Sequence, residues 1–175
     1  WFQRPELHMD TLRTEDSERA GRLMAKQQGR RLLLATRSAV LECCAVASGV
    51  VAQVPLITLR SKMVEELDLI YAQLLSPLAT AWYLSRYGHL DQTGAGVDLR
   101  VPALKELPLR SMASIAPSTQ TELCRRLQAL TDRPGQNELQ SVQCLALELM
   151  DQPHDPLMTW WWERLPKKLR DGYSR

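Results

Sequence analysis

The sequence predicts an all-α protein, either an irregular helical bundle or a short array of helical hairpins, with about six to eight helices and no sheet. Three observations support this prediction. Apolar residues recur at helical spacing over most of the chain, helix-capping residues separate the segments, and the strict alternation typical of half-buried strands is absent. The chain has 175 residues, 45% of them hydrophobic and 24% charged, which is enough for one hydrophobic core.

The first predicted helix follows Thr14, carries Leu23 and Met24 on one face, and is closed by Gly29, a residue favoured after a helix C-terminus. Trp1 at the start predicts either a mature chain whose targeting sequence was removed or a boundary within a longer protein. If a transit peptide was removed, we expect a mitochondrial location, on the matrix side or at the inner membrane.

The most unusual segment is the apolar run from Ser38 to Leu59, which lies between Arg37 and Arg60. As a helix it would extend about 33 Å, which is long enough to cross a bilayer. Glu42 and Pro55 oppose insertion, and the small residues of the run contribute little hydrophobic free energy. We therefore predict a central buried helix over 38–59, with a single membrane span as the alternative.

The next predicted helix covers Thr58 to Leu75, where apolar residues recur at helical spacing. Three acidic residues of this helix are expected to face solvent: Glu65, Glu66 and Asp68. Ser76 and Pro77 form a favourable N-cap and first-turn pair. They predict a further short helix that ends at Gly88.

Glycines and prolines interrupt every periodicity between residues 89 and 116 and leave room for one short helix near Ala103–Leu107. We interpret this stretch as an irregular arm that contacts a partner, or as a linker between two helical layers. The predicted organisation is an N-terminal helical layer at 1–88, the arm at 89–116, and C-terminal helices with a Trp/Arg-rich tail at 117–175, all within one structural domain.

The C-terminal part shows clear helix signals. Thr119 and Glu122 have the spacing of a capping box, and Asn137 with Gln140 has the same spacing after a turn. These signals predict a helical hairpin of the kind found in repeat proteins, although no second copy of it recurs. The pair Asp155–Pro156 predicts the start of the last helix.

The tail supplies the candidate site residues. Trp and Arg dominate the energetics of protein–protein interfaces, so this string predicts a partner interface. The same residue types also occur in membrane-surface anchors, and simple packing of the indole rings is a third interpretation. The candidates are Trp160, Trp161, Trp162, Arg164, Lys167, Lys168 and Arg170.

No pattern in the sequence indicates catalysis, a cofactor or a metal. The cysteines have no C-x-x-C spacing and are expected to be reduced, buried thiols of an intracellular compartment. They are Cys43, Cys44, Cys124 and Cys144. The histidines are scattered, and no nucleophile–base pair is visible. We therefore expect no catalytic, cofactor-binding or metal-binding residue.

The sequence favours a non-catalytic accessory subunit of a larger multiprotein assembly, with other protein subunits as partners. A mitochondrial respiratory-chain complex or an ATP synthase is the expected host. Three alternatives remain: a single-span or membrane-surface accessory protein of such a complex, an enzyme or small-ligand-binding helical domain with a dispersed site, and a helical-repeat RNA-binding module. The net charge of +2 argues against nucleic acid as a partner.

Overall fold

The described part of the chain contains five strands and six helices, and most of the strands precede the helices. A computed structural model describes residues 28–48, 56–88, 96–167 and 170–171, together with four helical residues near the N-terminus: Glu18, Gly21, Arg22 and Ala25. Trp1 and the rest of the helix predicted after Thr14 lie outside the described residues.

The strands form two small antiparallel sheets. The strands are β1 (Arg31–Ala35), β2 (Arg37–Ser38), β3 (Cys43–Val46), β4 (Leu56–Leu59) and β5 (Val97–Asp98). The larger sheet has the order β3-β1-β4, so Leu32 of the central strand pairs with Ala45 on one side and with Leu59 on the other. The smaller sheet pairs Arg37 with Asp98 and so joins two segments that are far apart in the sequence.

The prediction of a sheet-free, all-α fold is therefore wrong, and so is the prediction of a helix over 38–59. Strands β3 and β4 occupy two parts of that segment, and residues 49–55 lie outside the description. A short apolar run fits a buried strand as well as a buried helix. The β-branched residues Val46, Ile57 and Thr58 were the available strand signal.

The alternative of a membrane-spanning helix also required one continuous helix over 38–59, and β3 and β4 occupy parts of that segment instead. Within the described ranges, no helix combines the length and the apolar character needed to cross a bilayer.

The helices are α1 (Val64–Leu75), α2 (Pro77–Tyr87), α3 (Val101–Leu104), α4 (Pro117–Asp132), α5 (Gln136–Leu149) and α6 (Asp155–Arg164). The first of them begins later than the predicted start at Thr58, because residues 56–59 pair with β1 instead. Ser76 caps α2 as predicted, since its hydroxyl oxygen accepts a hydrogen bond from the Leu78 amide at 3.2 Å.

A central buried helix does exist, but it is α1. It packs against α2, α4, α5, β1 and β3. Leu67, Leu69 and Leu74 are almost completely buried, and so is Asp68, which was predicted to face solvent. Glu65 is exposed as expected. The strands and the C-terminal helices therefore share one core that is organised around α1.

The region predicted as an irregular arm packs against this core between residues 96 and 116, whereas residues 89–95 lie outside the description. Its anchoring side chains are buried: Val97, Leu99, Ala103, Leu107 and Ile115. The short helix of this region is α3, slightly earlier than the predicted position at Ala103–Leu107.

Helices α4 and α5 form the predicted hairpin, but both predicted capping boxes are wrong. Pro117 starts α4 and Ala116 precedes it without a side-chain cap, because Pro is pre-organised for the first helical position. Helix α5 follows Gly135, so the Asn137–Gln140 pair lies inside the helix. Helix α6 begins at Asp155 as predicted.

Candidate functional site

Helix α6 carries the three tryptophans, and it divides them between the core and the surface. Trp161 is 3% exposed, and its indole Nε1 donates a hydrogen bond to Thr80 Oγ1 of α2 at 3.2 Å. This contact satisfies the only polar group of a buried indole. Trp161 is therefore an internal anchor of α6, which favours the packing interpretation for this one residue.

Trp160 and Trp162 are half-buried and pack against the edge of the core. The Arg164 guanidinium lies over the Trp160 ring, 5.3 Å from its centroid. At this distance a cation–π attraction contributes about 0.5–1 kcal/mol at an exposed site. The arrangement leaves part of each indole and a stacked cation available at the surface.

Arg164 is also held from the side of the small sheets. Its Nε donates a hydrogen bond to the carbonyl oxygen of Ala39 at 3.3 Å. Gly96 has a positive φ of 104°, and a Cβ added there would lie 2.9 Å from the Arg164 guanidinium. Glycine at position 96 thus allows the backbone to approach this cation closely.

We define the α6 surface as Trp160, Trp162, Arg164 and Lys167. Lys167 is exposed just beyond the end of the helix. Of the other predicted candidates, Arg170 is half-buried in a further turn, and Lys168 lies outside the described residues. Four of the seven predicted residues are therefore at least partly exposed at α6, with Trp160 and Arg164 stacked on one flank of the buried Trp161 and Trp162 on its other flank.

Local sequence explains where α6 begins and ends. Pro156 occupies the first turn, where its missing N–H removes no helical hydrogen bond. Leu165 is extended, as expected for a residue before proline, and its buried side chain anchors the end of the helix. These two residues set the ends of the helix, and the buried Trp161 fixes its orientation against the core.

A second feature, which sequence reasoning missed, is an apolar pocket of about 250 Å³. One wall is formed by Leu78, Ala79 and Trp82 of α2. The opposite wall is the segment 107–110, and Met150 at the end of α5 closes one side. Because these residues are far apart in sequence, no motif or spacing could have indicated the pocket.

Arg110 is the one charged residue that lines this pocket, and its backbone is held by a buried amide. Gln73 of α1 is 0% exposed; its Nε2 donates to the Arg110 carbonyl oxygen at 3.1 Å, and its Oε1 accepts from the Arg110 amide at 2.6 Å. The guanidinium Nη2 pairs with Asp151 Oδ2 at 2.8 Å. The backbone from which this guanidinium extends is therefore fixed at the rim of the pocket.

The buried carboxylate of Asp68 forms an ion pair with Arg30. Arg30 Nη1 donates to its Oδ2 at 3.1 Å, and the Cys124 thiol lies 3.8 Å from the same oxygen. Burial raises the pKa of Asp68, although the ion pair with Arg30 opposes that shift. The group ties the start of β1 to α1 and α4, and its contacts describe a structural ion pair.

Burial raises the pKa of all four cysteine thiols, most strongly at Cys43. A raised pKa keeps a thiol protonated at neutral pH and therefore poorly nucleophilic. His154 lies 3.8 Å from Glu148, and the other two histidines, His8 and His89, lie outside the described residues. Within the described ranges, no group of three or more potential ligands is placed to hold a metal ion.

We compared the chain with protein-family models, with curated protein sequences and with solved structures, and none of the three comparisons finds a match. The α6 surface and the apolar pocket that Arg110 lines, called the Arg110 pocket below, are therefore the two features that bear on function.

Proposed function

We propose that this chain is a non-catalytic accessory subunit of a larger multiprotein assembly, and that it binds a neighbouring subunit through the α6 surface. The observation that carries the proposal is the stacked pair of Trp160 and Arg164, which is half-exposed and held in place by the Ala39 carbonyl. Interface hot spots are rich in these two residue types.

The side chains of the α6 surface are also held in place before any partner binds. Binding orders flexible side chains at an entropic cost of about 0.5–1.5 kcal/mol for each one that is immobilised. Arg164 is already fixed by the Trp160 ring and by a backbone carbonyl, and Trp162 packs beside the buried Trp161 with 6.5 Å between ring centroids. Binding of a partner to this surface would therefore cost less side-chain entropy than binding to side chains that rotate freely.

For the host we propose a mitochondrial complex, with a respiratory-chain complex or an ATP synthase as the specific candidates. Subcellular fractionation tests this part separately: the native chain should sediment with mitochondria, and its recovery in another compartment would exclude these hosts.

The binding surface is tested by site-specific photo-cross-linking in cells that produce the protein. A benzophenone amino acid replaces Lys167 at the α6 surface, and in a matched control it replaces Gln128, an exposed residue of α4. We expect discrete heavier adducts with one or two protein species from position 167 and few from position 128. Equal adduct patterns from both positions, or none from position 167, would contradict the proposed surface.

A further inference from the structure

The dimensions of the pocket between α2 and the segment 107–110 restrict what can fill it. Its volume of about 250 Å³ is below the roughly 300–1,000 Å³ typical of small-molecule sites. It is open to solvent on one side, and seven of its eight lining residues are apolar. These properties fit one large apolar side chain presented by another protein better than a whole ligand enclosed by this one.

The charge at the rim adds a second requirement. Arg110 is 41% exposed, and its partner Asp151 is 83% exposed. An ion pair between two such exposed groups contributes little to stability, so an incoming carboxylate could replace Asp151 at little cost. Replacement would be more favourable in the bound state, because the apolar walls and the incoming side chain exclude water from the new pair.

We propose that this pocket holds one large apolar side chain of a partner protein, and that a carboxylate next to that side chain pairs with Arg110 in place of Asp151. The proposal rests on the proposed function, since it names the chemistry of a segment of the neighbouring subunit. Arg110 is the specificity-determining residue of the pocket. Gln73 is a positioning residue, because it holds the Arg110 backbone through two hydrogen bonds.

The proposal gives Arg110 and Asp151 opposite roles. Replacing Arg110 removes the attraction for the partner's carboxylate, whereas replacing Asp151 removes a competitor for the same guanidinium. Asp151 has a φ of 54°, a left-handed conformation that asparagine also tolerates, so Asp151→Asn keeps the local backbone. If the Arg110–Asp151 pair were only structural, both substitutions would instead change binding in the same direction.

The pocket is tested with indole-3-propionate, a large apolar group that carries a carboxylate, and with its neutral amide. Both are titrated into the 175-residue chain, and binding is followed by the NMR signals of Ala79 and Trp82. We expect the acid to bind about fivefold more tightly than the amide, which is the size of effect expected for an exchanged surface ion pair. Equal affinities, or no shifts at these two residues, would overturn the proposal.

Three variants test whether Arg110 causes the preference for the acid over the amide. Arg110→Gln should bring the acid-to-amide ratio to about one, and Asp151→Asn should raise it above the wild-type value. Arg125→Gln is the matched control, because Arg125 is also an exposed arginine paired with a carboxylate, that of Glu122, but it lies outside the pocket. A ratio that changes equally in Arg110→Gln and Arg125→Gln would also overturn the proposal.

Incorporation into the native assembly separates this inference from the proposed function. The wild-type chain and the Arg110→Glu variant are expressed at equal levels, and their fractions in large complexes are compared. We expect the variant to be depleted at least threefold. If both chains incorporate equally, the pocket proposal is wrong while the proposed function stands; if the wild-type chain itself is found alone, both are wrong.

Discussion

Thr80 shows how single buried polar side chains connect distant parts of this molecule. Its hydroxyl oxygen accepts hydrogen bonds from the Leu41 amide at 3.1 Å and from the Trp161 indole at 3.2 Å. It therefore joins the turn after β2, helix α2 and helix α6 at a point that is 0% exposed. Gln73 has the same kind of role for Arg110, because its side-chain amide forms hydrogen bonds with both the carbonyl oxygen and the N–H of the Arg110 backbone.

We predict that Thr80→Val destabilises the protein by about 2 kcal/mol, because two buried donors lose their acceptor while the side-chain volume is unchanged. The free energy of unfolding is measured by urea denaturation. Thr121→Val is the matched control, since Thr121 is exposed and bonds only to a carbonyl of its own helix; its effect should stay within about 0.5 kcal/mol. Equal losses in the two variants would refute the role given to Thr80.

Local signals predicted some residue-scale features correctly and missed others. Ser76 caps α2 as its sequence context indicates, because the capping contact lies within two residues. The pairing of Gln73 with Arg110 spans 37 residues, and nothing in the sequence near either residue indicates it. Of the candidate sites, the residues of the α6 surface were named from composition and their role as an interface stays a prediction, whereas the pocket depends entirely on such long-range placement.

At the scale of elements, the helices with strong periodicity were predicted and the strands were not. Helices α2 and α6 lie where serine and proline signals placed them, and apolar spacing located α4 and α5 although both of their predicted capping boxes are wrong. Strands β3 and β4 were assigned to one helix, since their short apolar runs lack the alternation of a half-buried strand. Pairing with β1 on its two sides decided their structure, and that pairing is a tertiary property.

Helix α4 has an ionic cluster whose pH dependence can be predicted. Hydrogen bonds from Arg125 and Arg126 lower the pKa of Glu122 to about 2. In the unfolded chain Glu122 has an ordinary glutamate pKa of about 4.3, so it binds a proton at higher pH than in the folded chain. The stabilising contribution of Glu122 is therefore fully present above the unfolded-state pKa and is lost as the pH falls towards the folded-state pKa of about 2.

The measurement is an NMR titration of the Glu122 carboxyl carbon. We expect a midpoint near 2 in the wild type and a higher midpoint in Arg125→Gln, which loses one donor but keeps Arg126. Arg133→Gln, at the end of the same helix, should leave the Glu122 midpoint unchanged. A wild-type midpoint in the ordinary glutamate range would show that the Glu122 cluster does not form in solution.

At the scale of the whole molecule, one core connects the N-terminal sheets with the C-terminal helices through α1. This arrangement fixes the α6 surface and the Arg110 pocket on one body. Helix α2 contributes to both, because Thr80 holds Trp161 while Leu78, Ala79 and Trp82 line the pocket. A partner that contacts both features would be held at two points of fixed geometry.

The central claim is that the chain works as a subunit of an assembly, and the mass of the native particle that contains it tests this most directly. A tag on the chain at its natural expression level allows purification under mild conditions, followed by light scattering during size-exclusion chromatography. We predict one main species several times heavier than a single 175-residue chain, with other proteins in fixed ratio to it. A main species with the mass of one chain alone would contradict the claim.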